Sequence, residues 1–295
     1  MFYGNYRILK RRQPFKFAAA LYRVTSQAVL YYCMSMVIDF HTHIYPEKIA
    51  AKVVANIQEF YTIKMQMDGT VNTLLGCGKG GIDHFVVFSA AAIPEQVRTI
   101  NDYIASVCRE QPLMTGFGTL HKDMENPHEE IERLIGLGLK GIKLHTDMQK
   151  FNIDDDRMMD IYAILEGRLP VIFHTGDYRY TFSHPSRVAR VLDNFPKLCV
   201  IAAHFGGWSI FDIAWDYFHN RRCYFDVSSS LPFIGKRRAA ELIHSYGAER
   251  FLFGSDYPMW NPVVCLEEFS ELDLSDSEKE MILWQNAANI LQIKR

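Results

Sequence analysis

The chain has 295 residues, 48% hydrophobic and 22% charged, with a formal net charge of -2. Such a composition is that of an ordinary globular protein, and the charge excludes a strongly basic nucleic-acid binder. The length suits two domains or one α/β domain of barrel size, about 250 residues.

The first 35 residues stand apart. Arg7, Lys10, Arg11, Arg12 and Lys16 make a basic stretch, and the run 17–37 that follows is broken by Arg23, Thr25, Ser26 and Gln27. A signal peptide or membrane anchor needs a cleaner apolar core. The working chain is therefore expected to begin near Met34 or Met36. Residues 1–35 are read as a poorly packed extension or a misassigned start, and residues 36–295 as the functional domain. Six cysteines include no C-x-x-C pair, which argues against a zinc knuckle or a thioredoxin-like site. Cys199 and Cys223 lie in apolar runs and read as core packing, and this usage fits a reducing cytoplasm.

From Met36 onward, short apolar runs alternate with longer amphipathic ones. Eight runs rich in Val, Ile and Phe read as buried parallel strands: 36–43, 84–91, 114–121, 141–145, 170–176, 198–206, 223–229 and 250–256. Between them lie helical patterns at 47–61, 94–110, 127–137, 155–166, 186–194, 209–220, 236–246 and 277–291. The second of these opens with Pro94 and carries Val97, Ile100, Ile104 and Val107 at helical spacing. Gly138 and Gly167 close the third and fourth. The stretch 61–81 is irregular and reads as an excursion near the mouth of the site. Eight strand–helix units predict a (β/α)8 TIM barrel, with an open doubly wound sheet as the alternative. No G-x-G-x-x-G follows the first strand, and no Walker motif occurs.

In a TIM barrel, chemistry gathers at the C-terminal ends of the strands. The first run ends in His41-Thr42-His43, and strand alternation points both imidazoles the same way, making half of a metal site. Lys143 and His145 share a parity on the fourth run. The fifth ends at His174, the sixth at His204, the seventh at Asp226-Val227-Ser228-Ser229 and the eighth at Asp256. Buried imidazoles and carboxylates are costly unless paired or bound to metal, so their convergence predicts a cation. Arg179, in the loop after the fifth strand, is a candidate clamp for a substrate carboxylate. Phe205, Trp208, Tyr257 and Trp260 follow the polar positions directly and are candidates for an aromatic wall. Lys143 reads as a buried positive charge set against Asp39 or a substrate carboxylate.

Taken in order, Asp39-Phe40-His41-Thr42-His43, His174, Ala203-His204-Phe205-Gly206-Gly207, Phe253-Gly254-Ser255-Asp256-Tyr257-Pro258 and Asn286-Ala287-Ala288-Asn289-Ile290-Leu291 resemble the amidohydrolase superfamily, in particular its amidohydrolase-2 branch. That branch includes aminocarboxymuconate-semialdehyde decarboxylase and related benzoate decarboxylases. The resemblance covers Met36 to the C-terminus. It implies that His41, His43, His174 and Asp256 hold one divalent metal, most often zinc, with His204 beside the bound water or substrate. It also opens a second role for Lys143, since a lysine at the end of the fourth strand is carboxylated and bridges two metals in some members. Asp256 and His204 are then the catalytic candidates, and His145, Lys143, Arg179, Trp208 and Tyr257 the substrate-side ones. The expected reaction is hydrolysis of an amide, ester or lactone by metal-activated water, with Asp256 moving the proton and His204 stabilising charge on the oxygen. The alternative is non-oxidative decarboxylation of an aromatic or unsaturated carboxylic acid at the same site. A phosphoesterase or TatD-like nuclease would want acidic ligands on the middle strands, where Lys143 and His145 stand. A barrel kept only for binding would show gaps among the five positions, and there are none. The expected partner is a small molecule, a carboxylate among the candidates, and the expected assembly a homodimer. Neither nucleic acid nor membrane is expected.

Overall fold

The computed structural model describes residues 36–293. The expected extension at residues 1–35 therefore lies outside the described residues. All eight predicted strands are present: β1 (Ile38–His43), β2 (His84–Phe88), β3 (Met114–Gly116), β4 (Ile142–Leu144), β5 (Val171–Phe173), β6 (Val200–Ala202), β7 (Tyr224–Asp226) and β8 (Phe251–Leu252). They form two ladders, β1-β2-β3 and β4-β5-β6-β7-β8, with every pairing parallel.

Two seams close these ladders into a ring. At one, Gly118 bridges Ile142, and the Lys143 N–H donates to the Gly118 carbonyl at 2.8 Å. At the other, Thr42 bridges Tyr257; the Phe40 N–H donates to the Phe253 carbonyl and the Asp256 N–H to the His41 carbonyl, both at 2.8 Å. The TIM barrel is therefore the fold, and the open sheet is ruled out.

Side-chain parity explains why the strands read as continuous apolar runs. Phe40, Val86, Phe88, Phe117, Ile172, Ile201 and Leu252 make one cluster, filling the barrel. Their neighbours in sequence, among them Phe85, Val87, Val171, Phe173, Val200 and Phe251, belong to the cluster packed under the helices. Both faces are dry, so both must be apolar.

The ladders are shorter than the apolar runs because the runs continue into the catalytic ends. After β6 the chain makes a 3-10 turn, His204–Gly206, with His204 and Phe205 at positive φ, and after β8 Asp256 also has a positive φ of 64°. These turns swing side chains off the strand direction and into the mouth. Gly254 is required at β8 by space: a Cβ there would stand 2.8 Å from the His41 Cβ.

Most predicted helices form as expected. They include α1 (Glu47–Tyr61), α3 (Val97–Glu110, entered through a 3-10 turn at Pro94–Gln96), α4 (Pro127–Gly136), α6 (Asp156–Leu165), α7 (Pro185–Asn194) and α8 (Phe211–Phe218). Three helices were not expected: α2 (Val71–Gly78), α5 (Thr146–Gln149) and α10 (Pro262–Ser270). α2 falls in the stretch read as irregular, where the Thr70 hydroxyl caps it by accepting from the Thr73 N–H. α9 (Leu231–Tyr246) begins earlier than predicted and breaks at Gly235, whose φ is 73°. The last predicted helix is three pieces: α11 (Asp276–Glu280) with a Ser275/Glu278 capping box, a π turn at Met281–Gln285, and α12 (Asn286–Leu291). Asn286 ties this end to the barrel, donating to the carbonyls of Ala248 at 2.9 Å and Phe251 at 2.8 Å. No helix among the described residues is long and apolar enough to cross a membrane.

Candidate active site

The ends of β1 and β8 bring three ligating atoms together. Asp256 Oδ1 lies 3.4 Å from His41 Nε2 and 3.6 Å from His43 Nε2. Two ligand atoms each about 2.1 Å from a tetrahedral zinc would be about 3.4 Å apart, so this spacing fits a shared cation. Behind them, His41 Nδ1 donates to Asp226 Oδ2 at 2.8 Å, which leaves the Nε2 lone pair facing Asp256 and His43. A carboxylate behind a ligating histidine fixes its tautomer in this way. The other Asp226 oxygen accepts from the N–H groups of His204 at 3.0 Å and Ser228 at 3.1 Å, and from the Ser228 hydroxyl. Burial alone would raise Asp226, but the contacts with His41, His204 and Ser228 hold it well below the usual carboxylate range.

His174 and His204 approach from β5 and β6. His204 Nδ1 donates to the Ser228 carbonyl at 3.1 Å, so its Nε2 lone pair faces His174 Nδ1, also at 3.1 Å. On the far side of His174, Nε2 has no hydrogen-bond partner among the described residues and lies 3.6 Å from Asp147 Oδ2. His145 stacks on His174 with ring centroids 4.0 Å apart. Its Nδ1 accepts from the Met148 N–H at 3.4 Å, and its Nε2 donates to the Tyr61 hydroxyl at 2.7 Å. That assignment leaves the Tyr61 proton free to point into the cavity.

Burial is the first cause that holds His43, His145 and His174 well below the ordinary imidazole value, aided by Lys143 and by each other. His204 is lowered to about 4 by the same cause. These four imidazoles are thus neutral at pH 7, the protonation state a metal ligand needs. Neutral nitrogens, one carboxylate at ligand spacing and an unsatisfied buried nitrogen fit a divalent cation. His174 falls outside the group of His41, His43 and Asp256 and belongs instead to one with His145 and Asp147.

A cavity of about 620 Å³ opens above these groups, and His41, His43, His145, His174, His204 and Asp256 all line it. Four of the five substrate-side candidates do not. Lys143 is wholly buried beneath the cavity, its Nζ 3.1 Å from His41 Nε2 rather than paired with Asp39. Burial lowers its pKa to about 8. Arg179 is turned aside: it forks onto Asp177 at 2.7 and 2.9 Å and donates to the Phe60 carbonyl at 2.6 Å. Its guanidinium also stacks over Phe60 at 4.9 Å, so it holds the end of α1 in place. Trp208 packs edge-on against Tyr61 from behind, and the buried Tyr257 donates its hydroxyl to the Thr70 carbonyl at 2.7 Å. Trp260 donates to the Ser229 hydroxyl at 2.9 Å, which in turn donates to Asp256.

Asp226, Ser228, Asp147 and Tyr61 received no role from sequence. Asp226 had a usable signal, its place at the end of the seventh strand. Tyr61 had none, because its meeting with His145 depends on the path of α1 across the mouth.

Comparison with known proteins bears on the family and the fold. The Amidohydro_2 family model, described as amidohydrolase, matches residues 38–293. A gamma-resorcylate decarboxylase from a Polaromonas species is 25% identical over 252 residues, covering 68% of this chain and 77% of that protein. A TIM-barrel protein from Bordetella bronchiseptica superposes with a TM-score of 0.70 at 21% identity, covering 87% of this chain and 98% of the other. A dihydroxybenzoic acid decarboxylase from Polaromonas, solved with manganese and 2-nitroresorcinol, gives 0.69 at 18% identity, covering 89% and 98%. At these identities the structural likeness speaks for the fold. The family match, however, runs from the first strand of the barrel to its last helix, so this chain belongs to the amidohydrolase-2 family through its whole barrel rather than through a motif alone.

Proposed function

We propose that this enzyme is a metal-dependent, non-oxidative decarboxylase of a hydroxylated aromatic carboxylic acid. This is the second of the two reactions expected from the sequence, preferred here over hydrolysis. The observation that carries it is a cavity whose floor is a histidine cluster with two carboxyl groups, Asp147 and Asp256, and whose walls, including Ile57, Phe60, Met65 and Met259, are apolar. Such a site suits a flat ring with its carboxylate at the floor. The relative named gamma-resorcylate decarboxylase supports the same reading.

His41, His43, His174 and Asp256 would hold the metal. When bound, it supplies Lewis-acid polarisation of substrate oxygens. Manganese is the first ion to supply, ahead of the zinc expected from the sequence, because a structurally similar decarboxylase was solved with it. Asp226 keeps the His41 lone pair aimed at the floor. Tyr61, held by His145, offers its hydroxyl proton to a substrate oxygen. Asp256 carries a proton to the ring carbon that bears the carboxylate. A C–H bond forms there, the C–C bond to the carboxylate breaks, its electron pair restores the aromatic ring, and carbon dioxide leaves. Solvent returns a proton to Asp256. The apolar walls keep bulk water from the ring while this happens.

The test is turnover of 2,6-dihydroxybenzoate by manganese-loaded protein in D2O. Carbon dioxide release with one deuterium at the former carboxyl carbon supports the proposal, and Asp256→Asn should abolish it. Uptake of oxygen from labelled water into the product of an ester or lactone, with no carbon dioxide from any aromatic acid, would replace it with hydrolysis.

A further inference from the structure

We propose that the substrate bears an extended apolar substituent, an alkyl or aryl arm, lying in the outer half of the cavity between α1 and the segment from Ala90 to Tyr103. This inference rests on the decarboxylase reading and concerns the end of the cavity away from the imidazoles. α1 places Ile49, Val53, Ile57 and Phe60 along one face, and that face borders the cavity instead of the core. Ala50 is the one buried residue of this 15-residue helix. An amphipathic helix ordinarily sinks its apolar stripe into protein. Here the stripe looks across a gap at Ala90, Ala92, Ile100 and Tyr103.

The gap is continuous with the histidine floor, so what enters it is joined to what reacts there. The volume of about 620 Å³ belongs with sites that bury drug-sized ligands, roughly 300–1,000 Å³. One dihydroxybenzoate ring at the floor would leave both outer walls wet, a loss that an apolar arm removes. The exposed part of the lining carries Asn56 and Gln96 with one acidic and one basic residue, Glu95 and Lys150, so no net charge there calls for an ionic arm. With the carboxylate at the floor, the arm leaves the ring from the opposite side.

The test is calorimetric binding of 2,6-dihydroxybenzoate and its 4-hexyl derivative to manganese-loaded protein, with carbon dioxide release followed in the same samples. The hexyl acid should bind at least about tenfold tighter. Val53→Trp and, separately, Ile100→Trp narrow the gap from either side and should cut that ratio to within about twofold of unity. Equal affinity for the two acids overturns the arm, as does an unchanged ratio in variants that melt like the parent. Tighter binding of the hexyl acid without carbon dioxide release upholds the arm and refutes decarboxylation. Carbon dioxide from both acids with equal affinity refutes the arm alone. Binding of neither acid overturns both.

Discussion

Asp226→Asn is a nearly isosteric change that should remove metal without unfolding the barrel. Asp226 Oδ2 accepts from His41 Nδ1, while Oδ1 accepts from two backbone N–H groups and the Ser228 hydroxyl. Every neighbour is a donor, so a carboxylate satisfies all of them and an amide cannot. If the amide oxygen faces His204 and Ser228, its NH2 faces His41 and forces the proton onto Nε2, removing a lone pair from the floor. If the oxygen faces His41, the NH2 meets the donors on the other side and loses its hydrogen bonds. Loss of a carboxylate behind a ligating histidine costs about 10- to 100-fold in metal affinity, or about 1.4 to 3 kcal/mol. Manganese titration of the apoprotein, with metal content by mass spectrometry after dialysis, reads this directly. A variant that folds like the parent and binds manganese with parental affinity would show that the Asp226–His41 pair does not orient a ligand.

Metal-free protein should lose stability as pH falls below about 6.5. His204, lowered to about 4, favours its neutral form when folded, so its contribution is present above the ordinary imidazole value and is lost on acidification toward 4. That shift amounts to roughly 3 kcal/mol, and His43, His145 and His174 act in the same direction. Burial pushes Asp39 up to about 7 and Asp147 up to about 6, so these two favour the folded state at low pH and oppose the trend. Four imidazoles outweigh two carboxyls, and urea midpoints at pH 5 below those at pH 7.5 are expected; a higher midpoint at pH 5 would reverse the balance. Asn286→Ala strands two buried carbonyls and should cost about 2 to 4 kcal/mol in denaturant unfolding, with no loss of site chemistry in the folded fraction. Arg179→Ala should raise proteolytic cutting near residue 62 by freeing the end of α1, and an effect confined to KM with no such cutting would return Arg179 to the role of substrate clamp. Gly254→Ala should impair metal binding, because its Cβ displaces His41, and crystals showing His41 unmoved would contradict this.

The local text of the chain was enough for the barrel and for its principal polar positions. Strand parity is a property of a few consecutive residues, so the eight apolar runs and the residues at their C-terminal ends could be read without knowing what they touch. The same holds for His41, His43, His145, His174, His204 and Asp256, which all reach the cavity. Loop and helix side chains had no such rule to follow. Arg179 turned to the Phe60 carbonyl and Tyr257 to that of Thr70, and even Lys143, on β4, met His41, because each of these partners lies in a segment that only the closed ring brings near. The pair that sets the His41 tautomer spans 185 positions, and the Tyr61–His145 pair spans 84. Sequence alone thus determined where the polar groups enter the barrel mouth. Which nitrogen keeps its lone pair, and how far the cavity extends beyond the ring, were decided by tertiary structure, since both depend on contacts between chain segments far apart in sequence.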